Sequence, residues 1–238
     1  MNIQDLINTQ RLEGNRKKNN KIFDEKIVNM ELTNLWYSNS EIEWEKALNR
    51  YWEFVQPENI GIEKKLENID PSVIKNLTVN NFYCFLHDEY FVWKYTAKNR
   101  LATTRKHLQR YKIEDRLSDL NIIKKNLFSF DITNIRQGLE IVTSIHGLGV
   151  AGASGLLALL YPKYFGTVDQ FAVKALSTIK DLKEKQIILA MNPDNIKIVD
   201  GVKLIEIMKE KANTLNSKNK TDKWTPRMID KVLWTFGR

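Results

Sequence analysis

Two glycines, one aspartate and a run of lysines and arginines are the residues of this chain whose types and spacing suggest chemistry. The glycines lie in Ile145-His146-Gly147-Leu148-Gly149-Val150-Ala151, within a stretch (138–166) that holds six of the ten glycines. One apolar helix is expected to enter this turn and a second, Ala153 to Leu160, to leave it. Glycine permits backbone geometry closed to other residues. It also lets a phosphate approach the amides that open the next helix, where the dipole favours an anion. The segment Gly147, Leu148, Gly149, Val150 and Ala151 is therefore a candidate phosphate site, although a plain helix-to-helix turn fits the same residues. Asp169 follows Gly149 by 20 residues and can cap the helix behind it.

The basic run is Tyr90 to Lys112. It contains seven cations (Lys94, Lys98, Arg100, Arg105, Lys106, Arg110 and Lys112) and no acid. Such a run can hold phosphates, with Lys94, Lys98, Arg100, Arg105 and Lys106 the first candidates. Its rings, Tyr90, Phe91, Trp93 and Tyr95, either stack on bases or fill the core.

The elements that would position these residues read as nearly all helix. Ser40-Glu41-Ile42-Glu43 has the capping-box pattern, and Trp44, Ala47, Leu48, Tyr51, Trp52 and Val55 follow at helical spacing up to Pro57. Further helices are expected after Asp70-Pro71 and from about Val79 through Leu86. Asp131 is expected to cap a helix bearing Ile135, Leu139 and Val142, and Asp200 one bearing Val202, Ile205 and Met208. Thr225-Pro226 opens a last helix carrying Ile229, Val232, Leu233 and Phe236. No segment alternates at period two, so no strand is expected. The polar stretches 14–21 and 213–223 read as loops.

The turn, Ala153-Ser154, the apolar helix, the proline at 162 and Val168-Asp169 together resemble the helix-hairpin-helix base-excision DNA glycosylase superfamily. The resemblance covers about residues 131–179, with the hairpin at 131–160. It implies a mainly α, two-lobed fold with the hairpin at the interlobe cleft. Residues 70–163 would form a helical barrel. The segment 1–69 would pack with a C-terminal lobe, 164–238. The hairpin amides would grip one phosphate of double-stranded DNA. A monovalent cation (K+ or Na+) would sit on the carbonyls of Thr143, Ile145 and Leu148. Asp169 would stabilise the sugar cation that develops as the glycosidic bond of a flipped base breaks. Trp93 and Trp234 would line the base pocket, unless they serve the core.

Two departures around the site shape that expectation. Strand-cleaving members carry a lysine two residues after the second hairpin glycine; here it is Ala151, which forms no Schiff base. The resemblance therefore implies a hydrolytic, monofunctional glycosylase for a damaged or modified base. Lys174, one turn after Asp169, would contact phosphate or supply an amine from another direction, or be a surface lysine. The second departure is Phe171, where relatives often have histidine. A DNA-binding protein that kept the hairpin and lost the chemistry, and an RNA-binding helical protein, are the competing readings.

Composition bounds all of this. The 238 residues carry 37 Lys+Arg and 29 Asp+Glu, a net charge of +8 that suits a polyanionic partner. The single cysteine, Cys84, excludes an intramolecular disulfide, a cysteine zinc site and the iron–sulfur cluster that many of these relatives hold. Three histidines without close pairing speak against a zinc hydrolase. Residues 141–162 carry no charge, but four glycines and several polar residues favour two short buried helices over a membrane span. No secretory signal is apparent at the N-terminus. The expectation is a cytoplasmic monomer with no other cofactor.

Overall fold

The computed structural model describes residues 28–238, and among these every regular element is a helix. The expected loop at 14–21 lies outside them. The chain begins with α1 (28–37), α2 (Glu41–Asn49), α3 (Tyr51–Phe54), α4 (Ile60–Glu67) and α5 (Pro71–Asn76). It continues with α6 (Val79–Cys84), a π-helical turn (Phe85–Tyr90), α7 (Phe91–Lys94), α8 (Lys98–Ile113) and α9 (Leu117–Leu127). Then follow α10 (Ile135–Thr143), α11 (Val150–Leu160), α12 (Gln170–Thr178), α13 (Lys185–Leu189), α14 (Ile198–Asn219) and α15 (Pro226–Gly237).

The helix starts follow their capping residues. Ser40 accepts the Glu43 amide, Asp70 the Ser72 amide, Thr78 the Asn81 amide and Thr225 the Met228 amide. Glu43 does not return to the Ser40 amide; it accepts from the Ser38 hydroxyl, which in turn takes the Ser40 amide.

Three local expectations are corrected. Asp131 does not cap α10. It closes a turn through the Thr133 amide, and Asn134 caps the helix. Asp200 is not a cap either: α14 starts at Ile198, and Asp200 reaches back to the Lys197 amide. The expected loop 213–223 is helical as far as Asn219. The Asn216 side chain bonds both the N–H and the C=O of Trp224, and the Asn219 amide group reaches the Asn39 carbonyl, so the polar last turns are held from outside.

A continuous apolar core joins nearly all the helices. α11 is its axis, buried from Gly152 to Leu160. Its glycines allow close approach. A Cβ on Gly152 would meet the Tyr95 hydroxyl at 2.5 Å, and one on Gly155 the Tyr90 hydroxyl at 2.8 Å. Tyr90 and Phe91 are wholly buried, so these rings serve the core rather than stacking on bases. α15 packs on α2, α3, α12 and α14. Trp36, Trp44 and Trp224 form an aromatic group, Trp36 tilted on Trp44 and Trp44 edge-to-face with Trp224, with ring centres 6.1 and 6.0 Å apart. No described helix is long and apolar enough to cross a membrane.

Candidate active site

Asp169 opens α12. Its Oδ1 accepts the Phe171 and Ala172 amides at 2.9 and 3.2 Å, an N-cap worth about 1 kcal/mol. One oxygen thus serves the fold. The other, Oδ2, faces Lys94 Nζ at 3.9 Å.

Two buried tethers hold the segment before Asp169. The Ser154 hydroxyl on α11 accepts the Val168 amide at 2.9 Å. The Asp230 carboxylate on α15 accepts the Thr167 amide at 2.6 Å. Asp169 is therefore fixed to the turn-following helix on one side and to the last helix on the other.

The two carboxylates and the lysine share a cavity of about 280 Å³, whose walls include Trp93, Phe171, Trp234, Tyr51 and Arg227. That is close to the lower end of the roughly 300–1,000 Å³ typical of small-ligand sites. The Trp234 ring lies 5.2 Å from Tyr51 and 6.1 Å from Phe171, giving an aromatic wall. The Trp93 indole N–H donates to Glu63, as does the Tyr51 hydroxyl, so one buried carboxylate orients two wall residues.

Arg227 closes the floor. Its guanidinium meets Glu63, Glu67 and Asp230 at 3.3, 2.5 and 2.7 Å. Lys231 meets Glu67 at 2.6 Å. Burial alone would raise Glu67, but Arg227 and Lys231 hold its carboxyl below the usual range. Burial pushes Asp230 up to about 6, against the pull of Arg227. Burial also lowers Lys94 below the ordinary lysine range, while Asp169 and Asp230 act in the opposite sense. Charges removed from water survive only when paired in this way.

The glycine turn lies on α8. Gly147 has φ +96°, and a Cβ there would meet the Thr104 carbonyl oxygen at 2.9 Å, so both conformation and space require glycine. The Tyr111 hydroxyl donates to the Ser144 carbonyl and accepts the His146 amide, and its ring stacks on His146 at 4.3 Å. Gly149 differs: a Cβ there would meet nothing within 4 Å. It is exposed and stands at the start of α11 with no side-chain cap. The amides that open α11, from Val150 and Ala151, are therefore left for solvent or an anion. Leu148 is apart from them, since its amide donates to the Ile145 carbonyl and its side chain is buried.

The remaining expected residues separate by location. Lys98, Arg100 and Lys106 are exposed on α8. Arg105 is half-buried and engaged with the His87 carbonyl and Asp88. Lys174 is exposed, its Nζ 5.5 Å from the Phe171 ring centre. Lys94, expected at a phosphate, instead enters the cavity. Among the described residues no amide outside the helices donates to the Thr143 or Leu148 carbonyl. The Ile145 carbonyl keeps a second lone pair. Backbone carbonyl oxygens are the donor type that a monovalent cation takes.

Glu63, Arg227 and Asp230 were not apparent from sequence. The available signal was weak: ionisable residues on an otherwise apolar last helix, and Glu63 and Glu67 one turn apart on α4. The chain matches no family profile, no curated protein and no solved structure.

Proposed function

We propose that this protein is a DNA glycosylase that flips a damaged or modified base into the cavity and releases it by hydrolysis. The observation that carries the reading is Asp169: one oxygen caps α12 while the other faces Lys94 in an aromatic-walled cavity. A base would lie against Trp93, Phe171 and Trp234. Asp169 Oδ2 would oppose the positive charge that grows on the sugar and would place the attacking water. Ala151 brings no amine to the bond-breaking step.

In this reading α10, the 144–149 turn and α11 act as a helix-hairpin-helix at a cleft between two lobes. The barrel lobe spans 70–163; the other joins 164–238 with the N-terminal segment. The Gly149, Val150 and Ala151 amides take one phosphate of double-stranded DNA. Thr143, Ile145 and Leu148 would hold the cation, which adds positive charge near that phosphate. Lys98, Arg100 and Lys106 extend the contact along the backbone. The protein would act as a monomer in the cytoplasm.

The test is a panel of duplexes, each carrying one modified base, incubated with the full chain and then treated with alkali. The expected result is strand breakage at one class of lesion, lost in Asp169→Asn. Tight duplex binding with no alkali-labile site in any member would replace this reading with a non-catalytic DNA-binding protein.

A further inference from the structure

Lys94 is the cavity cation that hydrolysis leaves without a task. Its side chain is only 11% exposed. α7 delivers it, so it comes from a different element than the glycine turn. Its stem packs on α11, where a Cβ on Gly155 would meet Lys94 Cδ at 3.3 Å. The other deeply buried lysines are tied down. Lys124 donates to the Lys75 and Leu77 carbonyls, Lys211 to those of Trp36 and Ser38, and Lys231 to Glu67. Among the described residues Lys94 Nζ has no hydrogen bond; it lies 3.9 Å from Asp169 Oδ2 and 5.9 Å from the Trp93 ring centre. A lysine held for stability is anchored; this one is held at its stem and left open at its amine.

We propose that Lys94 is a nucleophilic amine that captures the aldehyde of an abasic site in this cleft as a Schiff base. The inference rests on the cleft being the base-excision site, and it adds a step after base release. Hydrolysis leaves a hemiacetal at C1′, whose ring-opened form is an aldehyde. The neutral amine of Lys94 adds its lone pair to C1′, and the carbonyl oxygen takes up a proton. The carbinolamine then loses that oxygen as water and becomes an iminium. Asp169 accepts the proton shed by nitrogen and returns it to the departing hydroxyl. The iminium acidifies the C2′ proton; water takes that proton, and the C2′–H electron pair expels the 3′ phosphate and breaks the C3′–O bond. Water then hydrolyses the iminium and regenerates Lys94. No oxidant or reductant is consumed. Burial draws Lys94 below the usual lysine range, which is the direction that favours the neutral amine, while Asp169 and Asp230 act against it.

The experiment uses the full chain, a duplex with one preformed abasic site, and borohydride, which reduces the imine to a stable amine. The expected result is a covalent protein–DNA adduct mapping to Lys94 by peptide mass spectrometry. Lys94→Arg keeps the charge beside Asp169 but forms no imine; it should still bind the abasic duplex and yield no adduct. An adduct at another amine, an undiminished adduct in Lys94→Arg, or duplex binding by the wild type without any adduct would each overturn the assignment. Base release on the lesion panel is scored separately. Base release without trapping removes Lys94 and leaves the glycosylase reading intact. Trapping without base release keeps Lys94 and removes the hydrolysis.

Discussion

The Ser154 hydroxyl accepts the Val168 amide at 2.9 Å, and through it the helix after the glycine turn sets the position of Asp169 one residue further on. The bond is fully buried, and Ser154 has no exposed surface. Ser154→Ala leaves the Val168 amide without a partner, at a cost of about 1–3 kcal/mol. Urea unfolding should show that loss. Base release should fall while duplex affinity stays near wild type, since the α11 amides are untouched.

Asp169→Asn separates chemistry from structure. Asparagine can still accept the Phe171 and Ala172 amides through its side-chain oxygen, so the melting temperature should change little. It removes the charge that would face the sugar cation. Base release should fall by roughly 10²–10³-fold. Duplex affinity should hold or rise slightly. Full activity in the folded variant would reduce Asp169 to a helix cap.

Duplex binding should depend steeply on salt. Lys98, Arg100 and Lys106 stand exposed on α8 beside the glycine turn. If ~4–6 phosphates are engaged, log K against log[salt] should fall with a slope of about −4 to −5. Replacing Lys106 with alanine should flatten the slope by ~1. A salt-independent affinity would remove DNA from consideration.

Gly149→Asp and Gly147→Ala should fail in different ways. The Gly149 site has open space around it, so aspartate should fold normally and weaken all duplexes alike by repelling a phosphate. At Gly147 the φ of +96° and the nearby Thr104 carbonyl strain any side chain, so alanine should lower stability by about 1 kcal/mol or more. Equal binding by wild type and Gly149→Asp would mean that no phosphate approaches the start of α11.

Lys211 supplies a pH test. Burial between Trp36 and Trp44 draws its amine down to about 8. Below that pH the amine is charged in both states and its burial penalty is constant. Between about 8 and the ordinary lysine value of ~10.4 the folded chain gives up the proton first. The unfolded chain then binds more protons, so stability rises with pH over that window. The Lys211 share should be roughly 1–3 kcal/mol. It is read as the difference between wild type and Lys211→Met in urea midpoints from pH 7.5 to 10; identical pH profiles would contradict it.

Local signals in the sequence carried most of the helices. The caps at Ser40, Asp70 and Thr225 act over two or three residues and were legible as such. The helical end of α14 was not, because its polar residues are secured by Trp224 and Asn39, the latter 180 positions away. The same limit explains the site. The two glycines and Asp169 announced themselves by type and spacing. Glu63 and Arg227 lie 164 residues apart in sequence, and their pairing is a product of packing alone. Lys94 was legible as a cation within a basic run, yet nothing in that run distinguishes the one lysine that turns inward.

The π-helical turn at Phe85–Tyr90 has a consequence for how such a cleft could be gained or lost. It widens the rod running from Val79 to Lys94 by one residue relative to α-helical register. Winding the same residues as ordinary α-helix would rotate everything after them by about 100° relative to α6. Trp93 and Lys94 would swing off the cavity together, carrying away an aromatic wall and an amine in one step. The wide turn is thus what keeps that wall and that amine in the cavity, independently of Asp169, the glycine turn and the basic face of α8.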